Sequence, residues 1–485
     1  MYLAILSGIL LALAYPVFNL EFLAFVAFIP LFFALRNKDF KRAFLLAFIT
    51  GITFWAITIY WLIHVTLLGL VLLVLYLALY FGIFGLFFKL ATGKPVNRQT
   101  IIVPFIWIFL EFLRSRLITG FPWALLGYSQ YLNLPFIQIA DIVGVWGVSF
   151  MVMLINVALY IVIARKYPCH PEGMKCPKDL KILRFAQNDI LLPFVLLLLS
   201  LTYGYYKLYL QPVACSLQPF KISLIQGNIP QHQKWDENFR ASILERYETL
   251  TKEAAKDKPD LIIWPETSVP GVIGEEPELL ARIRRLAEDV RTPILIGAVT
   301  SKQRTEDRRQ RTEYYNSAIL ISADGKILQQ YDKLHLVPFG EYVPLERHFP
   351  FLRDLIGVPI GDFTAGREYT IFELKNERTK ERKNNFAVLI CFEDILPELP
   401  RRFVKNGAQF LINITNDAWF MESSAPYQHA AASVFRAIEN RVPVARAANT
   451  GVSCFIDQNG KIYDKITVDK KDIFVIGYKT SRLGN

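Results

Sequence analysis

The feature that most constrains this chain is a series of long apolar runs crowded into its first 210 residues and almost free of charge. Candidate spans lie near 1–18, 20–35, 43–63, 65–88, 100–118, 143–164 and 190–210. A bilayer core takes about 20 mostly apolar residues per helix, so residues 1–210 are expected to form a polytopic α-helical membrane bundle of about seven spans. The first two spans are short and joined tightly at Pro16–Leu20, which reads as a hairpin. The N-terminal run has neither a basic leader nor a small-residue cleavage site and is expected to be a retained helix.

Charge supports this reading and sets an orientation. Residues 1–210 carry 16 Lys and Arg against 7 Asp and Glu, whereas the remainder is nearly balanced. The positive excess therefore sits in the most hydrophobic half, as membrane topology requires, and does not form a nucleic-acid-binding face. Arg36, Lys38, Lys41 and Arg42 follow span two, and Lys89, Lys94 and Arg98 follow span four. Arg165, Lys166, Lys175, Lys178, Lys181 and Arg184 follow span six, while the alternate loops carry no Lys or Arg. By the positive-inside rule the N-terminus and the even-numbered connections are cytoplasmic, which leaves residues 211–485 outside the cytoplasm. Within the bundle, Glu111 and Arg114 fall in or at the end of span five. Such a pair either marks function or snorkels from a helix end to the interface. The loop 165–189 holds Cys169, His170 and Cys176, which is too few ligands for a zinc set, and has no evident function.

From Phe220 the texture changes to short apolar runs: Ile222–Ile225, Leu261–Ile263, Ile294–Val299, Ala318–Ile321, Phe386–Ile390, Phe410–Ile414 and Val444–Ala447. Helical stretches at 236–257, 277–290 and 424–440 lie between several of them. Buried strands alternating with helices predict a layered α/β domain over 211–485.

Three strand exits carry residues able to do chemistry. Glu266 follows Leu261–Pro265, Cys391 follows Phe386–Ile390, and Lys333 lies in Tyr331–Pro338 just before Gly340-Glu341. A thiol is a strong nucleophile only as thiolate, so it needs a base or a positive neighbour. A carboxylate can take the proton, and an ammonium can stabilise both thiolate and oxyanion. Taken singly, Cys391 is equally a core thiol, Glu266 a turn cap and Lys333 a surface charge.

The flanks change that balance. Trp264-Pro265-Glu266-Thr267, the run Tyr331–Glu341, and Cys391-Phe392-Glu393-Asp394 resemble the nitrilase superfamily, a set of Glu-Lys-Cys hydrolases and acyltransferases on an α-β-β-α sandwich. The multispan half, Gln226–Gln231 followed by Lys234-Trp235, Asn416–Phe420, Gln428-His429 and Arg446–Gly451 extend the resemblance to the membrane-bound branch, the bacterial apolipoprotein N-acyltransferases. That resemblance covers nearly the whole chain. It implies acyl transfer from a phospholipid to the N-terminal amine of a diacylglyceryl-cysteine apolipoprotein, completing lipoprotein maturation. It also implies a multi-pass protein of the bacterial cytoplasmic (inner) membrane with its catalytic domain on the periplasmic side. On it, Glu266 is the general base, Lys333 the oxyanion stabiliser and Cys391 the nucleophile of a ping-pong thioester mechanism that needs no cofactor or metal. Glu341 and Glu393 match further acidic residues of the family's site, and Trp235 matches a loop tryptophan near its substrate.

Three departures stand out. Phe392 takes the place of a usual tyrosine, Met421 stands where glycine is common, and no further apolar run follows the catalytic region up to Asn485. Leu345–Ile360 is expected to be a membrane-dipping arm or a packed loop. A Lys333–Cys391 ion pair is expected at rest, and a Cys215–Cys454 disulfide is one possibility among the extracytoplasmic cysteines. Other readings are a membrane-tethered amidase acting on a small amide, a transporter with an accessory domain, and an inactive lipid-binding relative. The near absence of charge in the spans opposes the transporter.

Overall fold

The computed structural model describes residues 1–92, 96–118, 120–166, 180–211, 220–306, 309–344, 346, 348, 362–375 and 383–484. It divides into two compact units, Met1–Ile63 with Leu67–Pro212, and Val213–Asn485 with the short segment His64–Thr66.

The first unit is helical: α1 (Tyr2–Leu13), α2 (Ile29–Leu35), α3 (Phe40–Thr58), α4 (Leu67–Thr92), α5 (Val96–Arg114), the single turn α6 (Leu134–Ile137), α7 (Ala140–Lys166) and α8 (Leu180–Tyr205). Four described stretches are long and apolar enough to cross a membrane: Phe40–Thr58, Leu67–Thr92, Ala140–Ala164 and Leu191–Leu210. The first two candidate spans differ from expectation. Helix α1 has 12 residues, about 18 Å at 1.5 Å per residue, and the second span is a 3-10 turn followed by the seven-residue α2. Small residues let α3 and α4 touch backbone to backbone: a β-carbon on Gly85 would lie 2.6 Å from the Ala43 carbonyl.

Non-helical backbone inside such a bundle must find hydrogen-bond partners within the protein. The segment Gly120–Tyr131, buried along nearly its whole length, does so through side chains. Arg114 donates to the carbonyls of Phe121 and Trp123 at 2.8 Å each, and Tyr15 donates to those of Ala124 and Leu125. Glu111 accepts from the Leu126 amide at 2.7 Å. Asn156 of α7 ties down the turn before α2, accepting from the Phe28 amide and donating to the Ala24 carbonyl. The buried Glu111 and Arg114 thus brace an irregular segment, which is a different job from snorkelling to an interface.

The second unit contains two sheets. One orders its strands β13-β1-β2-β4-β5-β6, with β3 beside β4; the other runs β12-β11-β10-β9-β8-β7. In chain order the strands are β1 (Lys221–Gln226), β2 (Leu261–Ile263), β3 (Val272–Ile273), β4 (Ile294–Glu306), β5 (Arg309–Ile321), β6 (Ile327–Asp332), β7 (Phe372–Lys375), β8 (Lys383–Ile390), β9 (Phe410–Thr415), β10 (Val444–Ala448), β11 (Cys454–Ile456), β12 (Ile462–Tyr463) and β13 (Gly477–Arg482). The core strands β1, β2 and β4 pair in parallel, as do β8, β9 and β10. Most of their fully buried residues are apolar, chiefly Ile, Leu, Val, Ala and Phe, as expected where both faces of a sheet are covered.

Helices α9 (Glu237–Ala255) and α10 (Pro277–Val290) cover the first sheet; α11 (Glu398–Lys405) and α12 (Ala425–Asn440) cover the second, and β1 packs on β10. The result is the expected α-β-β-α sandwich. Its first core joins Ile243, Leu244 and Tyr247 of α9 to Ile262, Trp264, Ile283 and Ile296. Parallel strands deliver their carboxyl ends to one edge of a sheet, where α/β folds build their sites. Residues Leu345 and Arg347 and the run 349–361 of the proposed arm lie outside the described residues, as do Cys169, His170, Cys176 and Cys215. Cys454 is a free buried thiol.

Candidate active site

Three strand ends supply the candidate groups. Glu266 lies just beyond β2, Lys333 follows β6 directly, and Cys391 follows β8. Lys333 is 1% exposed and would be costly there without partners. Its Nζ lies 3.0 Å from Glu341 Oε1 and 3.6 Å from Glu266 Oε1. Asn316 of β5 donates through Nδ2 to both carboxylates, at 2.8 Å each, and so joins them. Glu341 is held further by the Val337 amide at 2.7 Å. Burial lowers the Lys333 pKa, but Glu341, Glu266 and Cys391 outweigh it and leave the ammonium well above its ordinary range.

Close approach of backbones fixes the Glu266 loop. A β-carbon on Gly297 of β4 would lie 2.4 Å from the Pro265 carbonyl and 2.7 Å from Glu266 Cα. Only glycine lets β4 pass so near Glu266. A second buried lysine stands on the other flank: Lys234 is 3% exposed and donates from Nζ to the Glu266 carbonyl at 3.1 Å. Burial pulls its pKa down to about 8 against the opposing pull of Glu266 and Cys391.

Cys391 opens a 3-10 turn, Cys391–Ile395, with φ at +52°. That left-handed conformation crowds a residue bearing a β-carbon and persists only where the surroundings over-determine it. Glu393 provides part of that restraint. It accepts from the Ile390 amide on one oxygen, and from the Tyr331 hydroxyl and the Leu334 and His335 amides on the other. The same carboxylate therefore anchors the Cys391 turn to the segment carrying Lys333. Burial pushes the Glu393 pKa up to about 7 against these donors. Phe392 is buried and stacks on His335, with ring centroids 6.2 Å apart.

The thiol itself differs from expectation. Burial and the neighbouring Glu266 carboxylate push the Cys391 pKa far up, and Lys333 offsets only part of this. That direction favours a neutral thiol beside the Glu266 carboxylate over the expected Lys333–Cys391 ion pair. Trp235 is about half exposed and is the chain neighbour of Lys234. Asn316 and the placement of Lys234 escaped the sequence reading. Their available signals were slight: a polar residue in the strand run Tyr314–Ile321, and a charge beside a tryptophan. Among the described residues, no group of three or more His, Cys, Asp or Glu is arranged to hold a metal.

Comparison with known proteins agrees with this architecture. Residues 7–158 match the apolipoprotein N-acyltransferase N-terminal domain, and residues 221–479 match the carbon-nitrogen hydrolases. An amidase from Nesterenkonia sp. has a solved structure similar to 55% of this chain over 90% of its own, at 18% identity and a TM-score of 0.39. The apolipoprotein N-acyltransferase of Geobacter metallireducens is 41% identical over 472 residues, covering 95% of this chain and 85% of that protein. That of Chlorobaculum tepidum is 31% identical over 481 residues, covering 95% and 87%. A membrane-type helical unit, a carbon-nitrogen hydrolase sandwich and these full-length relatives lead to one conclusion: the chain belongs to the apolipoprotein N-acyltransferase family.

Proposed function

We propose that this protein transfers a fatty acyl chain from a membrane phospholipid to the N-terminal amine of a diacylglyceryl-cysteine apolipoprotein, through a thioester on Cys391. The observation that carries the reading is the buried Glu266–Lys333–Glu341 cluster at the strand edge, electrostatically coupled to a strained Cys391.

The reaction has two halves. Glu266 takes the thiol proton as sulfur attacks the phospholipid ester carbon, and Lys333 meets the charge developing on the carbonyl oxygen. The C–O bond then breaks, and Glu266 returns its proton to the departing lysophospholipid alkoxide. In the second half the neutral α-amine attacks the thioester, Glu266 accepts a nitrogen proton, and collapse expels the thiolate. That thiolate recovers the proton from Glu266, leaving an amide and the starting enzyme. Glu341 keeps Lys333 charged and in place throughout. Glu393 and Phe392 shape the nucleophile turn, and Trp235 is assigned to the substrate-facing loop.

Domain roles and location follow from the same reading. Residues 1–210 embed the protein in the bacterial inner membrane, and residues 211–485 form the catalytic domain on the extracytoplasmic side. A thioester exposed to water hydrolyses, so transfer depends on keeping water from the acyl-enzyme. The test is product partition. With defined phospholipid and a diacylated lipopeptide in detergent, the acyl group should appear on the lipopeptide amine. Release of free fatty acid regardless of lipopeptide would instead support a hydrolase.

A further inference from the structure

A second buried cluster meets the nucleophile through its backbone. His429 of α12 is 1% exposed. Its Nδ1 lies 2.9 Å from Asp417 Oδ1, and its Nε2 lies 2.9 Å from Asp394 Oδ1 and 3.2 Å from the Cys391 carbonyl oxygen. Arg446 of β10 closes the cluster, with Nη1 2.9 Å from Asp394 Oδ2 and Nη2 3.3 Å from Asp417 Oδ2. Ser433 of α12 donates to Asp394, and Asn413 of β9 adds a second donor to the Cys391 carbonyl at 3.3 Å.

The partners dictate the protonation state. A neutral imidazole presents one lone pair, which here would face a carboxylate oxygen whichever tautomer formed. With both nitrogens protonated, two cations balance Asp394 and Asp417. With one proton lost, the cluster holds net negative charge beside a thiol that already feels Asp417. The carbonyl that His429 grips belongs to the residue at φ +52°, whose conformation sets where the sulfur points.

We propose that His429, held doubly protonated between Asp394 and Asp417, is the positioning residue of the nucleophile, gripping the Cys391 carbonyl so that the backbone keeps its left-handed turn. This rests on the reading that Cys391 is the acylated residue. The charged groups facing the ring are Asp394 from the turn after β8, Asp417 from the turn after β9, and Arg446 from β10. Burial and Arg446 pull its pKa down, but the two aspartates prevail and hold it at about 9. The imidazolium therefore persists through neutral pH and is lost as pH rises through that value.

Two measurements test this. Nitrogen NMR of histidine-labelled wild-type protein should show one ring still doubly protonated at pH 8. That signal is assigned by replacing His64, His170, His232, His335 and His348 in turn. Finding every histidine neutral at pH 8 overturns the proposal, whether or not any variant folds. In single-turnover acylation by phospholipid, H429Q should be slower on the order of 100-fold at pH 7, the scale of a mispositioned reacting group, with apparent phospholipid KM changed by less than about threefold. The wild-type to H429Q rate ratio should fall toward one above about pH 9, because wild type then loses the same charge. A ratio that stays constant with pH would reduce His429 to packing. If wild type itself forms no acyl adduct, the acyltransfer reading fails, while the NMR result still decides the state of His429.

Discussion

Asn316 and Lys333 both approach Oε1 of Glu266, and on the proposed mechanism Oε2 takes the proton from the Cys391 thiol. E266Q keeps an oxygen for these donors but has no base. It should fold normally and lose on the order of 10³ in acylation rate, within the usual range for general-base removal. Lys234 gives a pH signature. Its pKa is lowered to about 8, so the ammonium is present below that pH and is neutralised above it, removing positive charge from beside Glu266. Activity should decline as pH passes 8, and K234M should lack that limb while running roughly tenfold slower at pH 7, the worth of about one hydrogen bond to a charged group. At this scale, Glu266, Lys333 and Cys391 were legible because each sits inside a long local motif. Asn316 was not, because its importance lies in contacts to residues 50 and 25 positions away that no local pattern encodes.

At the scale of elements, the core strands were legible because both faces are buried and each strand is a plain apolar run. Leu261–Ile263 was read with its observed ends, and α10 was expected at 277–290 as found. Polar strands were not. The β4–β5 hairpin extends to Glu306 and Arg309 through residues with no apolar run, and β13 (Gly477–Arg482) is an edge strand of mostly partly buried residues beside β1. Helix α1 stops earlier than hydropathy suggested because the chain turns at Tyr15–Asn19, where the Asn19 amide bonds back to the Tyr15 carbonyl. Two variants test what the elements do. G297A places a methyl against Pro265 and Glu266; it should cost about 1–3 kcal/mol in stability, as overpacking does, and displace the base enough to slow acylation. R114L strands the carbonyls of Phe121 and Trp123; it should destabilise the helical unit by about 1–3 kcal/mol per unmet group, read as a lower melting temperature in detergent.

For the whole molecule, composition and loop charge made the division into a membrane half and an α/β half legible in the sequence, because hydropathy and charge change together near residue 210. The orientation is a proposal resting on that charge asymmetry. Single cysteines placed at Lys94 and at the exposed Lys461, in an otherwise cysteine-free background, should react oppositely with an impermeant maleimide applied to intact spheroplasts. Lys461 should label and Lys94 should not; the reverse pattern would invert the topology. The proposed mechanism requires a covalent acyl group on Cys391, which intact mass spectrometry detects. Wild-type protein and C391A are incubated with phospholipid of defined chains and then with a diacylated lipopeptide. An adduct of one acyl chain is expected on wild type alone, discharged when the lipopeptide amine is acylated. Folded wild-type protein that never acquires the adduct, or C391A that acquires it equally, would rule out a thioester on Cys391.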